Sequence, residues 1–212
     1  MIGHGRSPEG RGWGARIDQA ATVIRMWNWH WQDSRDYGAA YHIGLLETHR
    51  KVLKQWREHN RATPERGWIA SKLECSFLDM NMLPADCLVI NQRQWTLSSD
   101  GRACHGRGTG PDGVWELTRG GIAACFAITH APHGATIVLV GFDIIRGGIA
   151  LPVDGAFSPA YQASGGFWGL DGYAEGVTKE GNHDYQAERR LIELLAARKG
   201  ACRVVFAQDE WR

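Results

Sequence analysis

Cysteine, charge of one sign and long apolar runs are all scarce in this chain. Its five cysteines are an odd number and include no Cys-x-x-Cys pair, which argues against a disulfide framework and a thiolate zinc site. The formal net charge is +1, so no global electrostatic bias favours nucleic acid or a membrane surface. No apolar run approaches the length of about 18 residues that spans a bilayer, and residues 1–14 lack the apolar core of a signal peptide. We therefore expect a cytoplasmic protein without a membrane span.

Glycine and tryptophan, in contrast, are abundant. The chain has 212 residues, among them 27 glycines and 10 tryptophans. This length can bury a full hydrophobic core, so we expect one domain over residues 1–212. Glycine permits tight turns and close approach of backbone to a ligand. Tryptophan can stack on sugars or bases, although most of these tryptophans are expected in the core.

Hydrophobic periodicity predicts strands that alternate with helices. A continuous apolar run at 87–91 is typical of a parallel strand buried on both faces. The predicted strands are 21–27, 41–46, 87–91, 136–142 and 203–207, and the predicted helices are 48–60, 118–129 and 185–199. This alternation predicts an α/β fold of Rossmann-like build, with a mostly parallel sheet and helices on both faces. In such sheets the ligand site lies at the carboxyl ends of the strands.

Three stretches lack regular periodicity and are predicted as loops. Residues 28–35 are polar and aromatic, and residues 98–113 are rich in glycine and arginine, as expected of a mobile loop. Residues 152–182 form the longest such stretch. About thirty residues without periodicity are long for an idle connection, so this segment is predicted to be a lid over the active site.

Three glycine-containing motifs are candidate ligand contacts. The first, Gly3–Ser7, offers backbone amides to a phosphate or is a flexible arm. The second, Thr118–Gly121, opens a helix whose amino end favours an anion, or serves only close helix–sheet packing. The third, Gly141–Asp143, ends a strand, where an aspartate can bind or orient a ligand or simply cap its own turn.

The fourth motif is Gly181-Asn182-His183-Asp184. It matches one block of the metallophosphoesterases, but the chain has no Asp-x-His, no Gly-Asp pair and no histidine after His183. Two-metal chemistry cannot be built from one block. The remaining interpretations are a surface histidine near a helix cap and a general base. With an ordinary pKa of ~6.5, histidine is suited to take a proton from an acceptor hydroxyl.

The order of these motifs resembles that of the bacterial sialyltransferases and their phage-borne relatives. That family opens with Gly-Asn-Gly-Pro-Ser and continues with a strand ending in Asn and aromatic residues. It then has a helix starting Thr-Ser-Gly, a strand ending Gly-x-Asp, and a catalytic histidine followed five residues later by an acid. The counterparts here are Gly3–Ser7, 23–29, 118–120, Gly141–Asp143, His183 and Glu188. The similarity covers residues 1–47 and 114–207.

This resemblance implies a metal-independent glycosyltransferase that moves a sugar from a nucleotide-sugar donor to an acceptor hydroxyl, with no resident cofactor. It implies that His183 is the general base and that Glu188 orients it. The acceptor is expected to be a glycan or a modified nucleobase, and a homo-oligomer is left open. The residues implied to contact the donor are Gly3, His4, Gly5, Ser7, Asn28, Thr118, Arg119, Gly120, Asp143 and Arg146.

Several departures from the family pattern leave the donor open. Glu116 stands where the family usually has arginine, Arg119 replaces the serine of Thr-Ser-Gly, and Ile144 and Ile145 replace tyrosines that steady the leaving phosphate. Arg119 or Arg146 is then expected to hold that phosphate.

Two alternatives to a sugar transferase acting on glycans remain. One is a phage-type enzyme that glycosylates modified DNA bases, with Arg93, Arg102, Arg107 and Arg119 lining a path for phosphates. The other is a non-catalytic nucleotide- or carbohydrate-binding module.

Overall fold

The structure is a computed structural model, and it separates the chain into two compact units. The amino-terminal unit comprises Ile2 and Pro8–Gln92, and the carboxyl-terminal unit comprises Met1, Gly3–Ser7 and Arg93–Arg212. The prediction of one domain stays a prediction, and the predicted lid 152–182 lies outside the described residues. The structure describes residues 1–27, 29, 32–47, 50–59, 62–72, 83–91, 96–97, 103–104, 108–110, 113–115, 117–147, 185–199 and 202–211.

A four-stranded parallel sheet is the framework of the amino-terminal unit. Its strand order is β1-β2-β3-β4, and every neighbouring pair is parallel. Ile2 adds a parallel bridge to Arg25 of β1. The elements in chain order are α1 (Gly14–Asp18), β1 (Ile24–Met26), α2 (Ser34–Tyr37), β2 (Ile43–Glu47), α3 (Arg50–His59), β3 (Trp68–Lys72) and β4 (Cys87–Asn91). The predicted α/β class with parallel strands is thus confirmed.

The centre of this sheet is apolar and closely packed. Leu45 and Leu46 of β2, Ala70 of β3 and Leu53 of α3 are all buried. The prediction of burial for 87–91 is wrong in part, because β4 is last in the sheet order and Leu88 is 52% exposed. Among the described strands, this apolar run is the last one of the sheet, and it exposes Leu88.

The predicted loop at 28–35 is shorter than expected. Helix α2 begins at Ser34, and the side chain of Asp33 caps it by accepting a hydrogen bond from the amide of Arg35 at 2.9 Å. An aspartate at this position satisfies an amide that has no partner within the helix. The sequence pattern missed the cap because α2 has only four residues.

A buried arginine holds the chain that leads into β2. The Arg25 guanidinium is 1% exposed and donates to the carbonyls of Ala40 and Tyr37, each at 2.6 Å, and to Gln32 Oε1 at 2.9 Å. It also lies over the ring of Trp29, 5.0 Å from the ring centroid. Burial lowers the pKa of Arg25 to about 10, a value at which it stays charged at neutral pH. Arg25 therefore acts as a structural cross-link.

A buried aspartate holds the turn that precedes α1. Asp36 is 5% exposed, and its carboxylate accepts hydrogen bonds from the amides of Gly10 at 2.7 Å and Gly12 at 2.8 Å. Gly10 and Gly12 have φ of 70° and 65°, a left-handed conformation that favours glycine. Burial raises the pKa of Asp36, but hydrogen bonds from the amides of Gly12 and Gly10, the charge of Arg35 and the amide of Arg11 together outweigh this effect. The pKa therefore lies below its ordinary value of 3.8.

Asp36→Asn is expected to remove a pH-dependent part of the stability. A carboxyl with a lower pKa in the folded protein than in the unfolded chain stabilises the fold fully above a pH of about 4, and that contribution is lost as the pH falls through the folded value. Urea unfolding at pH 7 and at pH 3 measures this. Wild type should be the more stable protein at pH 7, with the difference shrinking at pH 3. A constant difference would contradict the assignment.

The carboxyl-terminal unit combines two parallel strands with helices. β9 and β10 pair in parallel, with Thr136 opposite Arg203 and Leu139 opposite Phe206. The elements are β5 (Thr96–Leu97), β6 (Ala103–Cys104), β7 (Gly108–Gly110), β8 (Gly113–Trp115), α4 (Arg119–His130), β9 (Thr136–Leu139), α5 (Asp143–Gly147), α6 (Tyr185–Lys199), β10 (Arg203–Phe206) and α7 (Ala207–Glu210).

Parts of this unit differ from the predicted pattern. The segment 98–113 is not simply a loop, because its described residues contribute to two antiparallel pairs, β5 with β6 and β7 with β8. The strand predicted at 136–142 ends at Leu139, since Gly141 turns the chain with a φ of 70° and Asp143 already begins α5. The helix predicted at 185–199 is confirmed at both ends.

Helices α4 and α6 pack against each other through their apolar sides. Ile122, Cys125 and Ile128 of α4 and Leu191 and Ile192 of α6 are all buried. Burial, and then the nearby charge of Glu188, raises the pKa of the Cys125 thiol well above its ordinary value. Cys125 is consequently a core residue and not a nucleophile. No helix within the described ranges is both long and apolar enough to cross a membrane.

Candidate functional site

The sequence-predicted site residues that the structure describes all lie in the carboxyl-terminal unit. Asn28 and His183 lie outside the described residues, as do Arg93, Arg102 and Arg107. The described candidates form two clusters. One brings Gly3–Ser7 together with Asp143, and the other brings Thr118 together with Glu188.

The Gly3–Ser7 loop is seated on the end of β9. The amide of Gly3 donates to the carbonyl of Val140 at 2.8 Å, and the amide of Gly5 donates to the carbonyl of Gly141 at 2.9 Å. Met1 extends this pairing, since its carbonyl accepts from the amide of Val140 at 2.9 Å. The loop is therefore anchored to β9 and is not a free arm. The amides of Gly3 and Gly5 serve this anchoring, contrary to the expectation that they face a phosphate.

Glycine is required in this loop for close approach. A Cβ atom at position 3 would lie 2.5 Å from the carbonyl oxygen of Gly141. A Cβ atom at position 5 would lie 2.5 Å from Asp143 Oδ2 and 2.7 Å from the Gly141 carbonyl oxygen. These distances are too short for any side chain. The two glycines let the loop pack directly onto the Gly141–Asp143 turn.

Asp143 joins this loop to the last helix of the chain. Its Oδ2 accepts a hydrogen bond from the amide of Ser7 at 2.9 Å, and its Oδ1 accepts one from Gln208 Nε2 at 2.6 Å. Gln208 belongs to α7, which begins where β10 ends. Ser7 Oγ and Gln208 Oε1 are buried and have no hydrogen-bond partner among the described residues. Asp143 therefore holds the Gly3–Ser7 loop and α7 of the chain itself, and its predicted contact with a ligand stays a prediction.

A second cluster forms where α4 begins. Thr118 is the N-cap of α4, and its Oγ1 accepts from the amide of Gly121 at 3.0 Å. The same hydroxyl donates to Glu188 Oε1 at 2.5 Å, and the amide of Thr118 donates to Glu188 Oε2 at 3.1 Å. Glu188, in the first turn of α6, is fully buried.

The carboxylate of Glu188 therefore lies at the amino end of α4. A Cβ atom at position 121 would lie 1.7 Å from Glu188 Oε1, so only glycine leaves room for it. Sequence reasoning expected an external anion at this helix end, but an acid of the chain itself is placed there. Thr118 and Glu188 act as a clamp between α4 and α6. Gly120, one position earlier, packs against Phe142 and Ile145.

Arg146, a candidate for binding the donor phosphate, already has an acidic partner. Its Nη2 and Nε donate to Asp209 Oδ1 at 2.6 and 3.1 Å. The hydrogen bond from Arg146 lowers the pKa of Asp209, and the same bond raises the pKa of Arg146. The Arg146 carbonyl accepts from Arg189 Nη1 at 2.5 Å. A phosphate would have to compete with Asp209 for this guanidinium.

Sequence reasoning missed Gln208. A signal for it was present, because Gln208 comes directly after the last predicted strand, and polar residues beyond the carboxyl ends of parallel strands gather at one edge of a sheet. Its partner Asp143 follows β9, the neighbour of β10. The two side chains therefore meet because each follows the carboxyl end of one of two neighbouring parallel strands, the position that made Asp143 a candidate.

No family model, curated protein or solved structure matches this chain. Within the part of the chain that the structure describes, no three His, Cys, Asp or Glu residues are grouped so that they could hold a metal ion.

Proposed function

We propose that this protein is a glycosyltransferase with a Rossmann-like fold, acting on a nucleotide-sugar donor without a metal. The observation that carries the proposal is the pairing of motifs that are distant in sequence. Ser7 and Asp143 are 136 positions apart, and Thr118 and Glu188 are 70 positions apart, yet each pair is hydrogen-bonded. These are the motifs whose order resembles the bacterial sialyltransferases. Their contacts are expected if they serve one site.

The proposed donor site uses the seated loop and the strand end. Gly3–Ser7 and Asp143 form a rigid surface beyond β9, where ligands of parallel sheets bind. Side chains of His4 and Arg119 complete the proposed contacts to the nucleotide, and the contact expected of Asn28 lies outside the described residues. Arg119 and Arg146 are both proposed for the phosphate, which a guanidinium can bind through two hydrogen bonds, and at Arg146 the phosphate competes with Asp209.

In the proposed reaction the acceptor hydroxyl oxygen attacks the anomeric carbon of the sugar. The bond from that carbon to the phosphate oxygen breaks, and the nucleotide leaves with the electron pair. His183 takes the hydroxyl proton as the oxygen attacks. Glu188 lies three residues after Tyr185, the first residue of α6. Its hydrogen bond with Thr118 holds the start of that helix in place. We assign Glu188 as a positioning residue.

A nucleotide-sugar screen tests the proposal. We expect one of CMP-, UDP- and GDP-sugars to raise the thermal midpoint in the presence of EDTA, since a ligand at 100 times its Kd stabilises by about 2.7 kcal/mol. Gly5→Ala should abolish the response, because its Cβ would displace the Asp143 carboxylate. His133→Ala is the matched control, since His133 is exposed and precedes β9 instead of following it. A response absent in wild type, or unchanged in Gly5→Ala, would count against the proposed site.

A further inference from the structure

We propose that Gln208 is a positioning residue for donor binding, acting through Asp143 on the Gly3–Ser7 loop. The donor part of this inference rests on the proposed function. Gln208 itself does not belong to any motif that suggested that function. Its contribution is to fix the carboxylate to which the loop is attached.

The geometry leaves the Asp143 carboxylate one orientation. Gln208 Nε2 binds Oδ1 at 2.6 Å, and the Ser7 amide binds Oδ2 at 2.9 Å. The two donors hold opposite oxygens, so rotation of the carboxylate about its bond to Cβ breaks both bonds. The amides of Gly3 and Gly5 hold the start of the loop on β9, whereas the Asp143 carboxylate holds its end at Ser7. Loss of Gln208 leaves this carboxylate free to rotate and so weakens the bond from the Ser7 amide, although Ser7 and Asp143 are both intact.

Helix α7 is itself fixed by other contacts. Asp209 pairs with Arg146 of α5, and Glu210 pairs with Arg203 of β10. Both pairs are partly exposed, and exposed pairs contribute little to stability. Helix α7 also follows β10 directly and its Ala207 is buried, so it stays in place when Gln208 is replaced. The chain thus offers a neighbouring control, Glu210→Gln, which alters the same helix but leaves the bond from Gln208 to Asp143 and the pair of Arg146 with Asp209.

The test compares Gln208→Ala with Glu210→Gln in two measurements. The first is the hydrogen-exchange rate of the Ser7 amide by NMR. The second is the Kd of CMP, UDP and GDP by calorimetry. For Gln208→Ala we expect about tenfold faster exchange at Ser7 and about tenfold weaker binding of the preferred nucleotide, as for the loss of a hydrogen bond to a charged group. The thermal midpoint should stay close to that of wild type. Glu210→Gln should leave both quantities within about twofold of wild type.

The outcomes separate this inference from the proposed function. If wild type binds a nucleotide and Gln208→Ala binds it with the same Kd, the inference about Gln208 is overturned, whereas the proposed function is retained. Equal effects of Gln208→Ala and Glu210→Gln also overturn it, because they indicate a general loosening of α7. If wild type binds none of the three nucleotides, the proposed function fails and the donor role of Gln208 fails with it. The Ser7 exchange rate then decides whether Gln208 holds the loop.

Discussion

His183→Ala is expected to lower sugar transfer by about 10²–10⁴-fold, the usual cost of removing a general base. The acceptor hydroxyl is a weak nucleophile until its proton is taken, and histidine is the side chain whose ordinary pKa suits that role near neutral pH. Binding of the nucleotide should be retained, because no proton moves when the donor binds. The measurement is transfer, or slow donor hydrolysis, at saturating donor, together with the Kd of the nucleotide.

His133→Ala is again the control, and it should transfer at the wild-type rate. Transfer by His183→Ala within about tenfold of wild type would remove His183 as the base. Turnover of a nucleotide sugar that depends on His183 would exclude a non-catalytic binding module. For the DNA-base alternative, acceptor binding should weaken steeply with salt. Acceptor binding that is indifferent to salt would exclude that alternative.

The regular elements with strong local signals were predictable from the sequence. Helix α6 has the predicted bounds, and α4 has the predicted Thr118 cap, because apolar periodicity and cap chemistry are local properties. Helices of four or five residues, such as α1, α2 and α5, were missed. Such helices are too short to show a helical period, and they are stabilised by tertiary contacts such as that of buried Ile17 in α1.

Apart from Gln208, the residues of the candidate site could be predicted from the sequence, but the hydrogen bonds among them could not. The strand-end rule indicated Asp143, and the motif order indicated Thr118 and Glu188. No local pattern indicated that Glu188 binds Thr118, since that contact depends on how α4 packs against α6. The buried Arg25 was missed for the same reason. Its three hydrogen-bond partners lie 7 to 15 positions away, and a single arginine in an apolar strand has no periodicity.

Gly121→Ala is expected to destabilise the protein by about 3–5 kcal/mol, on the scale of breaking a buried charged interaction. The new Cβ would lie 1.7 Å from Glu188 Oε1, so the carboxylate has to leave Thr118. Both hydrogen bonds from Thr118 are then lost, and a fully buried carboxylate is left without them. Urea unfolding followed by circular dichroism measures the change.

Gly120→Ala is the matched control, one position earlier in the same helix. Its Cβ would lie 3.0 Å from Phe142 Cε1, a contact relieved by a small shift of the ring, so the stability should change by no more than about 1 kcal/mol. A double-mutant cycle then identifies the cause. In a Glu188→Ala background the clash is absent, so Gly121→Ala should cost at least about 2 kcal/mol less than in wild type. If Gly121→Ala destabilises the protein equally in both backgrounds, a clash with Glu188 is not the reason that position 121 requires glycine. The clamp between α4 and α6 then needs another explanation.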